Sequence, residues 1–194
     1  MPKQSEIPLK KSINNSEKKD KMRVLNIGCG YSFEGTDRID LVKTPATTKV
    51  CNIEDGLPYK ENTFDKIICH HVFEHIRNLK SFLEECYRVL KIGGKIDLRT
   101  DNAGFLIFHI KNDHNTYVDN WEKTLRPNEH VEDHHYHLFV PSHLNYLFKL
   151  AGFKGIKIRY AQMYENVFKR IFLNLLPFNM GKVELRVEAY KTHK

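Results

Sequence analysis

A short apolar run that ends in two glycines, RVLNIGCG at residues 23–30, leaves the chain few ways to fold. A compact strand feeds straight into a turn where glycine removes the Cβ atoms that would block close approach to the backbone. The same grammar continues downstream. RIDLV (38–42), KVCNI (49–53), KIICH (66–70) and KIDLRT (95–100) read as further strands, while NLKSFLEECYRVLK (78–91) places Leu79, Phe82, Leu83, Cys86, Val89 and Leu90 on one helical face. Asn78 suits an N-cap, and KIGGK predicts a glycine stop. PSHLNYLFKLAGF opens with a proline fit for a first helical turn, turns Leu144, Leu147, Phe148 and Ala151 inward and ends at Gly152. IKIRYA (156–161) and KVELRVEAY (182–190) supply two final strands. Strands alternating with helices predict an α/β domain built on a mostly parallel sheet.

At 194 residues with 41% hydrophobic positions, the chain has material for one core. The formal charge of +7 is unevenly placed. Lys3, Lys10, Lys11, Lys18, Lys19, Lys21 and Arg23 outnumber Glu6, Glu17 and Asp20, so the body beyond residue 23 is only mildly basic. That balance, with no aromatic and basic stripe, disfavours a nucleic-acid surface. Residues 1–21 read as a flexible basic tail and 22–194 as the domain, with a helical insertion at 162–181 between the last two strands. In that insertion Phe168, Ile171, Phe172, Leu175 and Leu176 fall at helical spacing, which suits packing on the domain or peripheral contact with a membrane surface. The tail lacks an apolar core, and no run of 18 apolar residues occurs, so the expected location is cytoplasmic. Cys29, Cys51, Cys69 and Cys86 form no CxxC pair and read as reduced thiols.

An acid at the end of the second strand, Asp40, stands where it can accept hydrogen bonds from ribose hydroxyls. The third glycine of GxGxxG is missing, since Tyr31, Ser32 and Phe33 follow Gly30, and Asp40 comes too soon for a full crossover helix. Both details count against a dinucleotide and leave a nucleoside without phosphates as the better ligand.

A competing signal lies at CHHVFEHI (69–76), where His71, Glu74 and His75 have the HxxEH spacing of some zinc peptidases. On a helix the two histidines would share a face. That reading needs a further carboxylate ligand and a peptidase scaffold, and the strand pattern around it supplies a different one.

Taken in order, VLNIGCG, RIDLV, NIEDGLPYKENTFDKIICHHVFEHI and YRVLKIGGKIDLRT resemble the class I S-adenosylmethionine-dependent methyltransferases, and HLFVPSHLNYLFKLAGF resembles a late helix and turn of that fold. LNIGCG followed closely by the acidic strand is similar to compact methyltransferases associated with polysaccharide biosynthesis. The resemblance implies a three-layer α/β sandwich with a seven-stranded, mostly parallel sheet, its last strand antiparallel and its first crossover shortened. It implies S-adenosylmethionine as cofactor, with Asn26, Gly28, Cys29, Gly30, Asp40, Asn52, Ile53 and His70 around it. Asn26 and Asn52 stand where many relatives carry acids, and Glu54 or Asp55 are substitutes for the second. The same stretch CHHVFEHI then becomes a strand end and helix start beside the methyl donor.

Methyl transfer to a hydroxyl needs a group to take its proton, and a histidine is the natural base. The candidates are His71, His135 and His137, with Asp101 as a further one and His130 and His134 in the same histidine cluster. The resemblance also admits a divalent metal on His71, Glu74, His75 and His135, less favoured than a bracing role for these residues. The expected reaction is O-methylation of a saccharide or other small-molecule or lipid-linked acceptor. The alternatives are an RNA methyltransferase and a non-catalytic subunit that binds the cofactor.

Overall fold

The computed structural model describes residues 21–105, 135–161 and 180–193. Seven strands form one sheet: β1 (Val24–Ile27), β2 (Asp37–Asp40), β3 (Lys49–Val50), β4 (Phe64–His70), β5 (Leu90–Asp101), β6 (Lys154–Ala161) and β7 (Glu184–Tyr190). Their spatial order is β3-β2-β1-β4-β5-β7-β6. β1 through β5 pair in parallel, and β7 runs antiparallel to both its neighbours. This is the expected sheet, including its single antiparallel strand.

Two α-helices are described, α1 (Leu79–Val89) and α2 (Pro141–Leu150). α1 starts where Asn78 Oδ1 accepts from the Ser81 amide at 3.1 Å. Its apolar stripe, Phe82, Leu83, Cys86 and Val89, joins Leu144 and Phe148 of α2 over one sheet face made of Leu25, Ile27, Ile39, Ile67, Cys69, Ile96, Leu98, Leu185 and Val187. Each such large side chain, fully buried, contributes about 1.5–3 kcal/mol. The expected glycine stop is corrected: α1 ends at Val89 and Leu90 already has extended backbone, so Gly93 and Gly94 lie inside β5. An added Cβ at Gly94 would meet the Lys91 carbonyl at 2.9 Å, so this glycine marks a close backbone approach rather than a helix end.

The opposite sheet face is polar. Asn26, Lys66, His70, Lys95, Asp97, Arg99, Arg186 and Glu188 occupy the positions that alternate with the core residues. Parallel sheets are ordinarily covered on both faces. Here residues 28–36 link β1 to β2, and residues 41–48 link β2 to β3, without a helix, so the first crossover is short as expected. Among the described residues both α-helices lie on the apolar face.

The helix start expected within CHHVFEHI is instead a single 3-10 turn, Phe73–His75. His71 precedes it with φ 53°, a left-handed conformation rare in a non-glycine residue. The two histidines of the HxxEH spacing therefore do not ride one α-helical face. No described helix is long and apolar enough to cross a membrane. Apart from Lys21, the tail expectation lies outside the described residues, as does the insertion apart from its last two positions.

Candidate functional site

The sharp turn after β1 is held by backbone and by the acid of β2. The amides of Gly28 and Cys29 both donate to the Ile39 carbonyl, at 2.9 and 3.1 Å. The Gly30 amide donates to Asp40 Oδ2 at 2.8 Å, and the Val42 amide to Asp40 Oδ1 at 3.0 Å. A carboxylate offers about four acceptor positions, so Asp40 keeps capacity for a ligand's hydroxyls. Gly28 sits at φ +65°, and a Cβ there would lie 2.2 Å from Val72 Cγ2. Only glycine fits. From residues 41–48, Thr44 Oγ1 donates to the Gly30 carbonyl at 2.5 Å and meets Thr47 Oγ1 at 2.9 Å, so hydroxyls brace the turn that a helix follows in a βαβ unit.

Beyond the strand ends lies a cleft of about 320 Å³ lined by Gly28, Asp40, Leu41, Cys51, Asn52, Ile53, Glu54, His71, Val72, His75, Ile76, Arg77 and Tyr136. This volume lies at the lower end of the range for small-ligand sites. Asn52 Oδ1 accepts from the Glu54 amide at 3.1 Å and caps the 3-10 turn Ile53–Asp55. Glu54 Oε1 accepts from the Arg77 amide at 2.7 Å. Arg77 Nη2 donates to the Tyr136 hydroxyl at 2.9 Å, with its guanidinium 5.1 Å from that ring's centre. Glu54, Arg77 and Tyr136 thus form one wall.

On the other side His71 and His75 line the cleft, and a cluster of buried carboxylates with His135 packs against them. His71 Nε2 donates to Glu184 Oε2 at 3.1 Å, while its Nδ1 lies 3.4 Å from Glu74 Oε1 and 3.7 Å from Asp101 Oδ1. Glu74, Asp101 and Glu184 are only 0%, 8% and 4% exposed. Burial alone would lower the His71 pKa, but the hydrogen bond to Glu184 and the close carboxylates of Glu74 and Asp101 outweigh it and raise it to about 10. A proton affinity raised in this way suits a charged group held by carboxylates better than the expected role as base. Glu74 Oε2 accepts from Thr100 Oγ1 at 2.8 Å, and its Oε1 is buried without a hydrogen bond. His135 Nδ1 lies 3.2 Å from Asp101 Oδ2, and the His135 and His75 rings meet edge to face at 4.4 Å. The ligand atoms of Glu74, His75 and His135, and those of His71, Glu74 and Asp101, each fall within 4.8 Å of one another.

Of the expected cofactor residues, Gly28, Asp40, Asn52 and Ile53 line the cleft. Asn26 does not: its Nδ2 donates to the Glu34 carbonyl at 3.1 Å and braces the loop. Cys29 and Gly30 act within the turn, Cys29 Sγ lying 3.7 Å from Thr47 Oγ1. His70 turns to the polar sheet face, with Nε2 3.7 Å from Asp97 Oδ1. Strand alternation explains this, because Cys69 faces α1 and its neighbour must face away. His135 joins the cluster, whereas the His137 ring lies 5.9 Å from that of Phe139 and its Nε2 is buried without a hydrogen bond. His130 and His134 lie outside the described residues. Glu184 was missed, although a signal exists. In KVELRVEAY the acids and arginine alternate with apolar residues, and an antiparallel last strand begins at the edge where the parallel strands end.

Comparison with known proteins agrees with this geometry. Residues 27–97 match the family described as a methyltransferase domain. The mitochondrial ubiquinone biosynthesis O-methyltransferase of Rattus norvegicus is 39% identical over 54 residues, covering 28% of this chain and 16% of that protein. The chain thus matches a small part of that relative's length. An S-adenosylmethionine-dependent methyltransferase from Archaeoglobus fulgidus superposes with a TM-score of 0.61 at 20% identity, over 89% of this chain and 87% of that one. Phosphoethanolamine N-methyltransferase 2 of Haemonchus contortus, solved with S-adenosyl-L-methionine, gives 0.57 at 16% identity over 89% of this chain and 49% of that one. The fold is that of these methyltransferases, and residues 27–97 carry the match to a methyltransferase domain.

Proposed function

We propose that the protein transfers a methyl group from S-adenosylmethionine to a hydroxyl of a small-molecule, saccharide or lipid-linked acceptor. The observation that carries this reading is the meeting of two structures at one strand edge: a cleft lined by Gly28, Asp40, Asn52 and Ile53, and a wall of His71, Glu74, Asp101 and His135. The first suits an adenosine, since an open-backbone turn and a carboxylate after the second strand match its ribose. The cofactor supplies an electrophilic methyl group on a sulfonium.

The residues of the chain orient the acceptor and take its proton. With Nδ1 donating to Asp101, His135 carries its lone pair on Nε2, the arrangement of an oriented general base. His71, with Nε2 on Glu184 and Nδ1 facing Glu74 and Asp101, places a positive charge beside the acceptor instead of taking its proton. Val72, seated on Gly28, and Tyr136 narrow the mouth and limit water. The test is transfer of a labelled methyl group to a panel of phenolic, saccharide and lipid-linked acceptors. Transfer only to amines or RNA would refute the hydroxyl assignment.

A second reading, a divalent cation in the wall, is favoured by Glu74 Oε1, buried without a hydrogen bond among three buried carboxylates. Glu74 with His75 and His135, or with His71 and Asp101, would hold it, and its charge would ease ionisation of a hydroxyl. Metal content of the purified chain, compared with that of Glu74→Gln, decides this. Equal and negligible content in both would dismiss the cation.

A further inference from the structure

The polar sheet face carries a row of basic side chains that the proposed reaction leaves unexplained. Read across the strands in register, His70 of β4 stands beside Arg99 of β5, Arg99 beside Arg186 of β7, and Arg186 beside Arg159 of β6. At a strand spacing of about 4.8 Å, the four positions extend over about 14 Å. Directly opposed like charges repel, so the row is costly unless carboxylates or a ligand offset it.

The carboxylates offset it only in part. Arg186 forks onto Asp97, donating from Nη2 at 2.7 Å and Nε at 3.1 Å. Arg99 receives much less: its Nη1 is 4.0 Å from Glu184 Oε1, and its Nε is buried without a hydrogen bond. The Arg159 side chain is exposed and makes no hydrogen bond or ion pair with a described residue. The row also ends at the site. Glu184 touches His71 with one carboxylate oxygen and faces Arg99 with the other, so Arg99 lies one side chain from the histidine and carboxylate wall.

We infer that Arg99, Arg186 and Arg159 seat the phosphate or diphosphate group of a small-molecule acceptor whose hydroxyl is methylated at that wall. The inference rests on the proposed methyltransferase reading and names the acceptor's class. The guanidinium fork matches phosphate oxygens in pairs, and an oxyanion here would satisfy Arg99 and relieve repulsion along the row. An extended polyanion fits less well. Asp97 and Glu188 stand opposed in the row on one side and Asp101 and Glu184 in the row on the other, so a long phosphodiester or an anionic bilayer laid on this face would meet carboxylates. The row itself offers no Phe, Tyr or Trp ring on which a base can stack.

The test titrates inorganic pyrophosphate into the full chain by calorimetry, alongside S-adenosylhomocysteine. Wild-type protein is expected to bind pyrophosphate at one saturable site. Arg159→Gln and Arg99→Gln should each weaken it about tenfold or more, while Arg159→Lys, which keeps the charge and loses the fork, should recover part of the loss. Lys80→Gln, on the exposed side of α1, should have no effect, and S-adenosylhomocysteine affinity should stay within about twofold throughout. A chain that binds S-adenosylhomocysteine but not pyrophosphate overturns the subsite and leaves the cofactor reading standing. So does a loss on Lys80→Gln equal to that on Arg159→Gln, which marks diffuse charge, or arginine-dependent binding of RNA or anionic vesicles that pyrophosphate cannot displace. A chain that takes pyrophosphate but no S-adenosylhomocysteine overturns the cofactor reading and the acceptor assignment with it.

Discussion

Replacing Gly28 by alanine perturbs the site at its narrowest contact. Two costs are separable. The backbone φ of +65° is left-handed, worth about 1–2 kcal/mol against a residue with a Cβ. The new Cβ would also sit 2.2 Å from Val72 Cγ2, and relieving such overpacking costs typically about 1–3 kcal/mol. Together, about 2–5 kcal/mol is a large share of a domain stability near 5–15 kcal/mol. The cycle Gly28→Ala, Val72→Ala and the double variant distinguishes the two terms by urea unfolding at constant m-value. In the Val72→Ala background, the glycine substitution should cost only the backbone part, a coupling of about 1–3 kcal/mol. Affinity for S-adenosylhomocysteine should fall with Gly28→Ala in both backgrounds, because Gly28 lines the cleft and a Cβ at φ +65° shifts the turn. An equal stability cost in both backgrounds would refute the seating of Val72 on the glycine turn.

Asp101→Asn and His135→Gln should each lower turnover about 10²–10⁴-fold with cofactor affinity nearly unchanged, as measured by labelled methyl transfer and calorimetry, because a base acts only on the acceptor's proton. In metal-free protein, the His71 imidazole should stay protonated through pH 8 by NMR. Its pKa is raised from 6.5 to about 10, so its contribution to stability is complete below pH 6.5 and disappears as pH rises through about 10. Asp97 behaves oppositely: burial would raise its carboxyl, but His70 and Arg186 hold it well below the usual range. Its contribution is present above pH 3.8 and declines only as pH falls below that, so Asp97→Asn should flatten the acid limb of a stability profile followed by circular dichroism.

Sheet order and the glycine turn were legible because both follow from local pattern: apolar runs ending in glycine, an acid after the next strand, and an apolar stripe with an Asn cap on α1. Where a boundary depended on one backbone angle, the pattern was silent. HHVFEH has helical spacing, yet left-handed backbone at His71 breaks it before a single 3-10 turn. KIGGK has the composition of a helix stop, yet its glycines serve a close backbone approach within β5. The role of His71 was illegible for another reason. Its partner Glu184 lies 113 residues away, and a histidine's proton affinity is set by what the fold packs against it. The polar sheet face was written in the alternation of KIDLRT and KVELRVEAY, but only the register places Arg99 beside Arg186.

The central claim is that the cleft over β1 and β2 holds S-adenosylmethionine through the glycine turn and Asp40. Calorimetric titration of S-adenosylhomocysteine into the wild-type chain and into Asp40→Ala tests it most directly. Losing the charge-assisted hydrogen bonds of one carboxylate should cost about 1.5–3 kcal/mol, roughly a ten- to 150-fold rise in Kd, with circular dichroism reporting a folded variant. A folded wild-type chain that does not bind, or an Asp40→Ala protein that binds as tightly as wild type, would contradict the account.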